Sequence, residues 1–289
     1  MTTLLVHLHV FYHEQVDYFI YKLGSISDCD WDLLVTYSEY NQHTEEKIRS
    51  FKPGARFVEV ENVGYDVWPF IKVLQQTDFS QYKYVMKLHT KNVSSVSNRI
   101  NGLKLKSTKW RNLLVNSLLG SKNRFKKNLK LMESNPKYGF ICAYELSKSL
   151  SKGLPEDLAM LQKEAKRIGM SHTDGNFVAG TMFLARLDAL KLIKRVKITP
   201  AMFRVYASRS HSVGSLAHVY ERLLCFAMYD EGYVSRRVLT SRLESALVFI
   251  HRGTSPLLKS IFSLEREGEE QAKIMTVLGL RFRLDNGKK

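Results

Sequence analysis

Arg56-Phe-Val-Glu-Val-Glu-Asn-Val-Gly-Tyr-Asp-Val-Trp-Pro-Phe-Ile-Lys-Val-Leu-Gln-Gln76, followed shortly by Tyr82-Lys-Tyr-Val-Met-Lys-Leu88, is the stretch that decides the fold. Arg56–Val60 reads as a short strand, Asn62-Val-Gly64 as a loop, and Val67–Gln76 as a helix with Pro69 in its first turn, where proline is tolerated. Tyr82–Leu88 is again a strand. Upstream, Leu4–Tyr12 is a buried strand, Glu14–Leu23 a helix, Asp32–Tyr37 a strand, and Glu45–Phe51 a helix stopped by Lys52-Pro-Gly54. The β-α-β-α-β-α-β alternation predicts an α/β fold with a mostly parallel central sheet flanked by helices.

Downstream the pattern turns helical. Helices are expected over Thr108–Leu119, Arg124–Glu133, Leu158–Gly169, from Leu187, and over Ala217–Tyr229. Phe140–Tyr144 and Asn176–Ala185 read as strands, the latter as one central strand. With no linker, repeat or low-complexity tract, residues 1–255 are expected to form one domain. It comprises a nucleotide-binding half (1–92) and a helical insertion plus a sugar and acceptor half (93–255), with a basic, amphipathic tail over 256–289.

The 289 residues carry a net charge of +16 and are 44% hydrophobic. Such a chain buries roughly three quarters of the surface its unfolded form exposes. Cys29, Cys142 and Cys225 are too few and too scattered for a disulfide scaffold or a CxxC metal knuckle. Neither a signal peptide nor an apolar run of about 18 residues is evident, which leads to the expectation of a cytoplasmic protein, peripheral on the inner membrane at most. Between Phe79 and Met132 there is no Asp or Glu but thirteen Lys and Arg. A field of one sign concentrates polyanions. Nucleic acid, an anionic membrane surface and a phosphorylated small molecule all fit, as does a merely solvated face.

In an open α/β sheet, ligands bind beyond the carboxyl ends of the strands. Polar residues gather at those ends: His9 and Tyr12, Asn62 to Asp66, and His89-Thr90-Lys91. Gly64 suits a positive φ or a close ligand approach. Asp66 is expected to cap the following helix, with a hydrogen bond from a base or ribose hydroxyl as the other role. His218 and Glu221 share one face of an otherwise apolar helix. Asp28-Cys-Asp30 precedes the second strand, at the wrong edge, and reads as a turn.

Five ordered blocks then carry a resemblance. They are Asn62–Phe70, Lys87–Lys91, Trp110-Arg111 with Leu118–Ser121, Phe177–Phe183 and His218–Leu224. Together they resemble the rhamnan synthesis protein F family, from about Leu4 to Tyr233. The resemblance implies a GT-A-like nucleotide-diphospho-sugar transferase fold and a glycosyltransferase of bacterial cell-surface polysaccharide assembly. The implied donor is a nucleotide diphosphate sugar carrying rhamnose or a relative such as galactofuranose. The implied acceptor is a lipid-linked oligosaccharide, with other polysaccharide-assembly enzymes as partners.

Such a fold normally carries an Asp-x-Asp metal site at the end of the fourth strand, where this chain has His89-Thr90-Lys91. No metal or cofactor is therefore expected. Lys87, His89, Thr90, Lys91 and Arg111 are the candidates for the donor diphosphate, because fixed cations stabilise a departing diphosphate. Nucleotide contacts fall to His9, Tyr12, Asn62, Gly64 and Asp66. The sugar and acceptor pocket falls to Gly180, Thr181, Met182 and Trp110. An inverting transfer needs a base, for which the resemblance points to Glu221, with His218 as acceptor ligand or second candidate. A surface ion pair of Glu221 with Arg222 or Arg237 is the alternative, and Asp174 is a rival base. His251-Arg252-Gly253 is expected to close over the diphosphate. Two other functions compete. One is a catalytically silent sugar-binding subunit. The other is a nucleic-acid-binding protein using Tyr82, Tyr84 and Trp110, although no known nucleic-acid motif is present and no nucleic acid is expected as a partner.

Overall fold

The structure, a computed structural model, describes residues 2–93, 97–150, 155–205, 215–267, 272–277 and 280–284. It opens with β1 (Thr2–Val10), α1 (Val16–Leu23), β2 (Trp31–Tyr37), α2 (Gln42–Phe51), β3 (Arg56–Glu59), α3 (Val67–Gln76) and β4 (Tyr82–His89). The hairpin β5 (Ser97–Ile100) and β6 (Leu103–Lys106) leads into α4 (Ser107–Leu119), α5 (Lys122–Ser134), β7 (Tyr138–Ala143) and β8 (Ser147–Ser149). Then come α6 (Pro155–Ile168), β9 (Asn176–Val178), β10 (Phe183–Arg186), α7 (Lys191–Arg195), α8 (Pro200–Val205), α9 (Leu216–Asp230) and β11 (Val234–Val238). The chain ends in α10 (Arg242–Ile261) and a meander of β12 (Phe262–Glu267), β13 (Ala272–Val277) and β14 (Leu280–Leu284).

The main sheet has seven strands in the order β11-β7-β10-β4-β1-β2-β3. All its pairings are parallel except those of β10, which runs against both β4 and β7. Leu4, Leu5, Val6, Leu8 and Val10 of β1 are all buried, as a parallel strand covered on both faces requires. One cover is α3, whose Phe70 stacks on the His7 ring, with α7 and α9 beside it. α1, α2, α4 and α5 form the other. β1 and β4 lie side by side in register His9↔His89, and the chain order reverses between them. That junction is where open sheets hold ligands. Among the described residues, no helix is long and apolar enough to cross a membrane.

Three differences from the sequence-based expectations bear on the site. The strand expected over Asn176–Ala185 is two strands: β9 pairs with β8, and only β10 joins the main sheet. The break is a turn in which Gly180 (φ 96°) and Thr181 (φ 42°) both have left-handed backbones. The β5–β6 hairpin is an unexpected element, closed by Asn101 (φ 49°) and Gly102 (φ 80°), the pair that a tight type I′ turn favours. Finally, α10 continues through residue 255 without interruption.

Candidate active site

β1 places His7 and His9 on one face because strand side chains alternate with period two. Both rings reach the Thr36 hydroxyl on β2, at 2.8 Å from His7 Nε2 and 3.0 Å from His9 Nδ1. Burial keeps both imidazoles neutral, lowering His9 to about 3 and His7 well below its ordinary value. Thr90, just past β4, accepts the backbone N–H groups of Phe11 and Tyr12 on its hydroxyl, each at 2.9 Å. This ties the exit of β1 to the exit of β4.

Upon this layer sits a buried ion pair. The Lys87 side chain is fully buried, and its ammonium donates to Asp66 Oδ2 and, at 2.9 Å, to the Thr181 hydroxyl. Thr181 also donates to the same carboxylate oxygen. Burial would raise the Asp66 carboxyl, but His89 and Lys87 beside it hold it well below the usual carboxylate range. Burial lowers the Lys87 ammonium, against the pull of Asp66. The pair joins the start of α3 to β4 and to the turn before β10.

The Gly180 peptide in that turn is gripped from both sides. Its N–H donates to Glu221 Oε1 on α9 at 2.7 Å, and its carbonyl lies 2.9 Å from His89 Nε2. A Cβ at Gly180 would come within 2.7 Å of Leu114 and 3.1 Å of Trp110, so close packing and the positive φ both demand glycine. His89 Nδ1 lies 3.0 Å from the Thr90 carbonyl, so the ring faces two acceptors. Burial nevertheless lowers it to about 4, which leaves it one proton near neutrality.

Above the turn lies a cationic arm. Lys91 rests its ammonium 4.1 Å over the Trp110 ring, and Trp110 Nε1 donates to the Ala179 carbonyl at 3.1 Å. Burial lowers the Lys91 ammonium, while the nearby carboxylates of Asp66 and Glu221 oppose the shift. Gln15 ties this segment down, its amide donating to the Lys91 carbonyl at 2.6 Å. The Gln15 side-chain oxygen accepts from the Lys91 N–H and from Arg111, each at 3.3 Å, and Arg111 stacks 3.8 Å over Tyr18.

The sequence candidates thus divide into two groups. Asp66, Lys91, Trp110, Gly180 and Glu221 converge at the β1–β4 junction, and Tyr12 is tied to it through Thr90, whereas Asn62 is exposed past β3 and Gly64 packs against Phe203 of α8. His9, Lys87, His89, Thr90, Thr181 and Met182 are buried, forming the floor rather than the lining of an open cleft. Asp66 makes no side-chain cap on α3, since its carboxylate is turned to Lys87 and Thr181. Arg111 is packed against Tyr18, behind Lys91.

The rival assignments resolve differently. Glu221 turns to Gly180 instead of forming the alternative ion pair with Arg222 or Arg237. His218 sits one turn earlier on α9, its Nδ1 2.7 Å from the capping Ser215 hydroxyl and its ring 6.0 Å from Tyr65. Asp174 is exposed, ahead of β9. His251-Arg252-Gly253 lies within α10, where Arg252 donates to the Ser147 carbonyl at 2.6 Å and His251 packs on Gly102, so the segment is not a diphosphate cover. Asp28 is a left-handed turn residue ion-paired with Lys126 at 2.7 Å. Tyr82 and Tyr84 are buried in the sheet and closed to base stacking.

The sequence reading missed Gln15, His7 and Thr36. The His7-Leu-His9 alternation signals a shared face for two histidines, but neither Gln15 nor Thr36 stands out among surface-type residues. Beside the site, a shallow surface hollow lies past β1 and β2, walled by Val10, His13, Tyr37, Tyr40 and Phe57.

Comparison with known proteins agrees with this arrangement in extent. The family model of rhamnan synthesis protein F matches residues 1–233, a span that contains every element of the site. The chain is also similar to the uncharacterized protein WxcX of two strains of Xanthomonas campestris pv. campestris, 25% identical over 231 residues. That alignment covers 78% of this chain and 31% of each relative, so the chain matches about a third of their length. The site and the span of the match lead to one conclusion: the chain belongs to the rhamnan synthesis protein F family, which implies a role in polysaccharide biosynthesis.

Proposed function

We propose that the chain is an inverting glycosyltransferase with a GT-A-like fold, taking rhamnose or a related sugar from a nucleotide diphosphate donor to a lipid-linked cell-surface glycan. The observation that carries this reading is the Gly180 peptide held between His89 and Glu221, which sets a carboxylate beside Lys91 at the junction of β1 and β4. The order β3-β2-β1-β4 supports a nucleotide site at that edge. The nucleoside lies over the aromatic hollow past β1 and β2, and Tyr12, Asn62 and Asp66 contact it. The diphosphate meets Lys91.

In the transfer step, Glu221 keeps Oε1 on the Gly180 N–H and takes the acceptor hydroxyl proton on Oε2. The acceptor oxygen bonds to the anomeric carbon from the face opposite the diphosphate. The bond from that carbon to the diphosphate oxygen breaks, and the nucleoside diphosphate leaves with the electron pair. Lys91 stabilises the charge that develops there. His218 orients the acceptor, Gly180 and Trp110 border the sugar, and Lys87 and His89 hold Asp66 and Gly180 in place from below. A divalent cation, which a GT-A-like fold implies, does not fit these residues. The strand end offers a lysine where carboxylates would be needed, and Asp66 is already paired with Lys87.

The test is thermal stabilisation by uridine and thymidine diphosphates and their sugars, with and without EDTA, followed by a transfer assay. Stabilisation and transfer that survive EDTA are expected. Complete loss in EDTA, restored by manganese, overturns the metal-free mechanism. Donor binding with no turnover, unchanged by Glu221→Gln, makes the chain a binding subunit.

A further inference from the structure

α10 presents its two faces in the opposite sense to an ordinary surface helix. The face toward the protein is largely polar. Ser245 donates to the buried Glu145 carboxylate at 2.7 Å, Glu244 pairs with Lys109, Arg252 donates to the carbonyls of Ser147 and Tyr144, and Val248 is the buried apolar residue among them. The face toward water is apolar. Leu243, Leu247 and Ile250 recur at helical spacing and are 65%, 47% and 57% exposed, with Leu239 at 57% just before the helix and Phe249 at 72% beside it. A contiguous exposed patch of this kind marks an interaction site.

The surroundings of the patch are cationic. The basic run over residues 97–132 reaches it in part: Lys104, Lys106, Lys109 and Arg124 lie near α10, whereas Arg111 is packed on Tyr18 and Lys126 is paired with Asp28 ahead of β2. Glu244 is buried and already paired. Arg124 donates to the Leu239 carbonyl at 2.8 Å, and Arg242 is exposed next to Leu243. The β5–β6 hairpin packs on His251 and exposes Lys104 and Lys106. An apolar stripe within a basic frame matches an anionic lipid surface, which takes leucine and isoleucine into its interface and attracts lysine and arginine to its headgroups.

α10 follows directly on β11, which runs parallel to β7 and in the same direction as β1 and β4. The helix therefore starts at the same edge of the sheet as the candidate active site. We infer that α10 is an interfacial docking helix that lays this edge against an anionic bilayer. The inference rests on the proposed function for its purpose, since a lipid-linked acceptor would lie in that plane.

The test is flotation of the full chain with vesicles of phosphatidylcholine alone or with phosphatidylglycerol added, at low and high salt, with nucleotide-dependent thermal stabilisation read on the same samples. Binding to the anionic vesicles, weakened by salt, is expected. Leu243→Ser/Leu247→Ser/Ile250→Ser should lose it by at least about tenfold, and Lys104→Gln/Lys106→Gln/Arg242→Gln should lose it comparably at low salt. Both variants should keep the melting temperature and the nucleotide response. The inference is overturned if anionic vesicles are not bound, or if the serine variant binds as wild type. It is also overturned if light scattering finds a dimer that the serine variant converts to monomer without any vesicle binding. Loss of docking with the nucleotide response intact removes only this inference, whereas docking without any nucleotide response removes only the transferase reading.

Discussion

Glu221 and His89 hold the same peptide from opposite sides: Glu221 Oε1 takes the Gly180 N–H at 2.7 Å, and His89 Nε2 lies 2.9 Å from the Gly180 carbonyl. One carboxylate oxygen is thus fixed by the backbone, and the proposed mechanism uses the other. Glu221→Gln keeps an acceptor for Gly180 but cannot take a proton. Turnover should fall by about 10²- to 10⁴-fold while donor affinity stays within a few-fold. Steady-state transfer rates beside a donor titration check this, and an equal fall in both would assign Glu221 to binding alone.

Lys91 is the cation above the floor, with its ammonium on the Trp110 ring and its pKa influenced by Asp66 and Glu221. Lys91→Ala should weaken nucleoside diphosphate binding by roughly tenfold or more, in line with the loss of one charge-assisted contact. Arg111→Ala should act less directly, by loosening Gln15 and with it the Lys91 backbone. Calorimetric titration of both variants tests the ranking, and a larger effect at Arg111 would reverse the roles.

The Asp66–Lys87 pair is buried, so removing one partner leaves a charge uncompensated. Lys87→Met should destabilise the fold by about 3–5 kcal/mol, and Lys87→Met/Asp66→Asn by clearly less than the sum of the two single changes. Urea unfolding of the four proteins measures the coupling. Strict additivity would mean that the two groups do not interact across the α3–β4 contact.

Gly180→Ala brings a Cβ against Leu114 and Trp110 at a φ of 96°. A loss of at least about 2 kcal/mol is expected, together with a displaced Glu221 and reduced turnover. The check pairs urea unfolding with kinetics. Wild-type stability in this variant would refute the tight packing of the turn.

Acid should weaken the protein before its carboxylates titrate. His89 falls from an ordinary value near 6.5 to about 4 in the fold, and His9 to about 3. Below about pH 6.5 the unfolded chain binds protons that the folded chain refuses, so stability declines as pH drops from there toward 4. His89 alone accounts for about 2 kcal/mol between neutrality and about pH 5. Asp66, depressed in the fold, adds a loss only below about pH 4, where its unfolded counterpart protonates. Urea midpoints against pH should slope downward in the wild type and less so in His89→Gln, and parallel slopes would exclude His89 as a source.

Most of the sheet could be read from the chain because buried parallel strands are near-continuous apolar runs, as in Leu4–Val10 and Tyr82–Leu88. The split of Asn176–Ala185 was hidden, since Phe-Val-Ala-Gly-Thr-Met-Phe is apolar enough for one strand, and only the tertiary grip on Gly180 breaks it. The β5–β6 hairpin, by contrast, was signalled by Asn101-Gly102. At the site, the polar residues past each strand were visible, but their depth was not. Lys87 and Lys91 are four apart and equally basic, yet one is sealed beneath Asp66 and the other lies over Trp110. Which of two lysines is buried depends on whether a distant residue supplies a carboxylate, and that pairing is not local.

The Gly180 grip unites positions 89, 180 and 221, which leave the ribosome far apart in time. A nascent chain released before α9 could raise the first four strands with His89, yet would lack the carboxylate that holds the turn from the other side. Premature termination or proteolytic clipping ahead of that helix should therefore yield fragments in which the turn is held from one side alone.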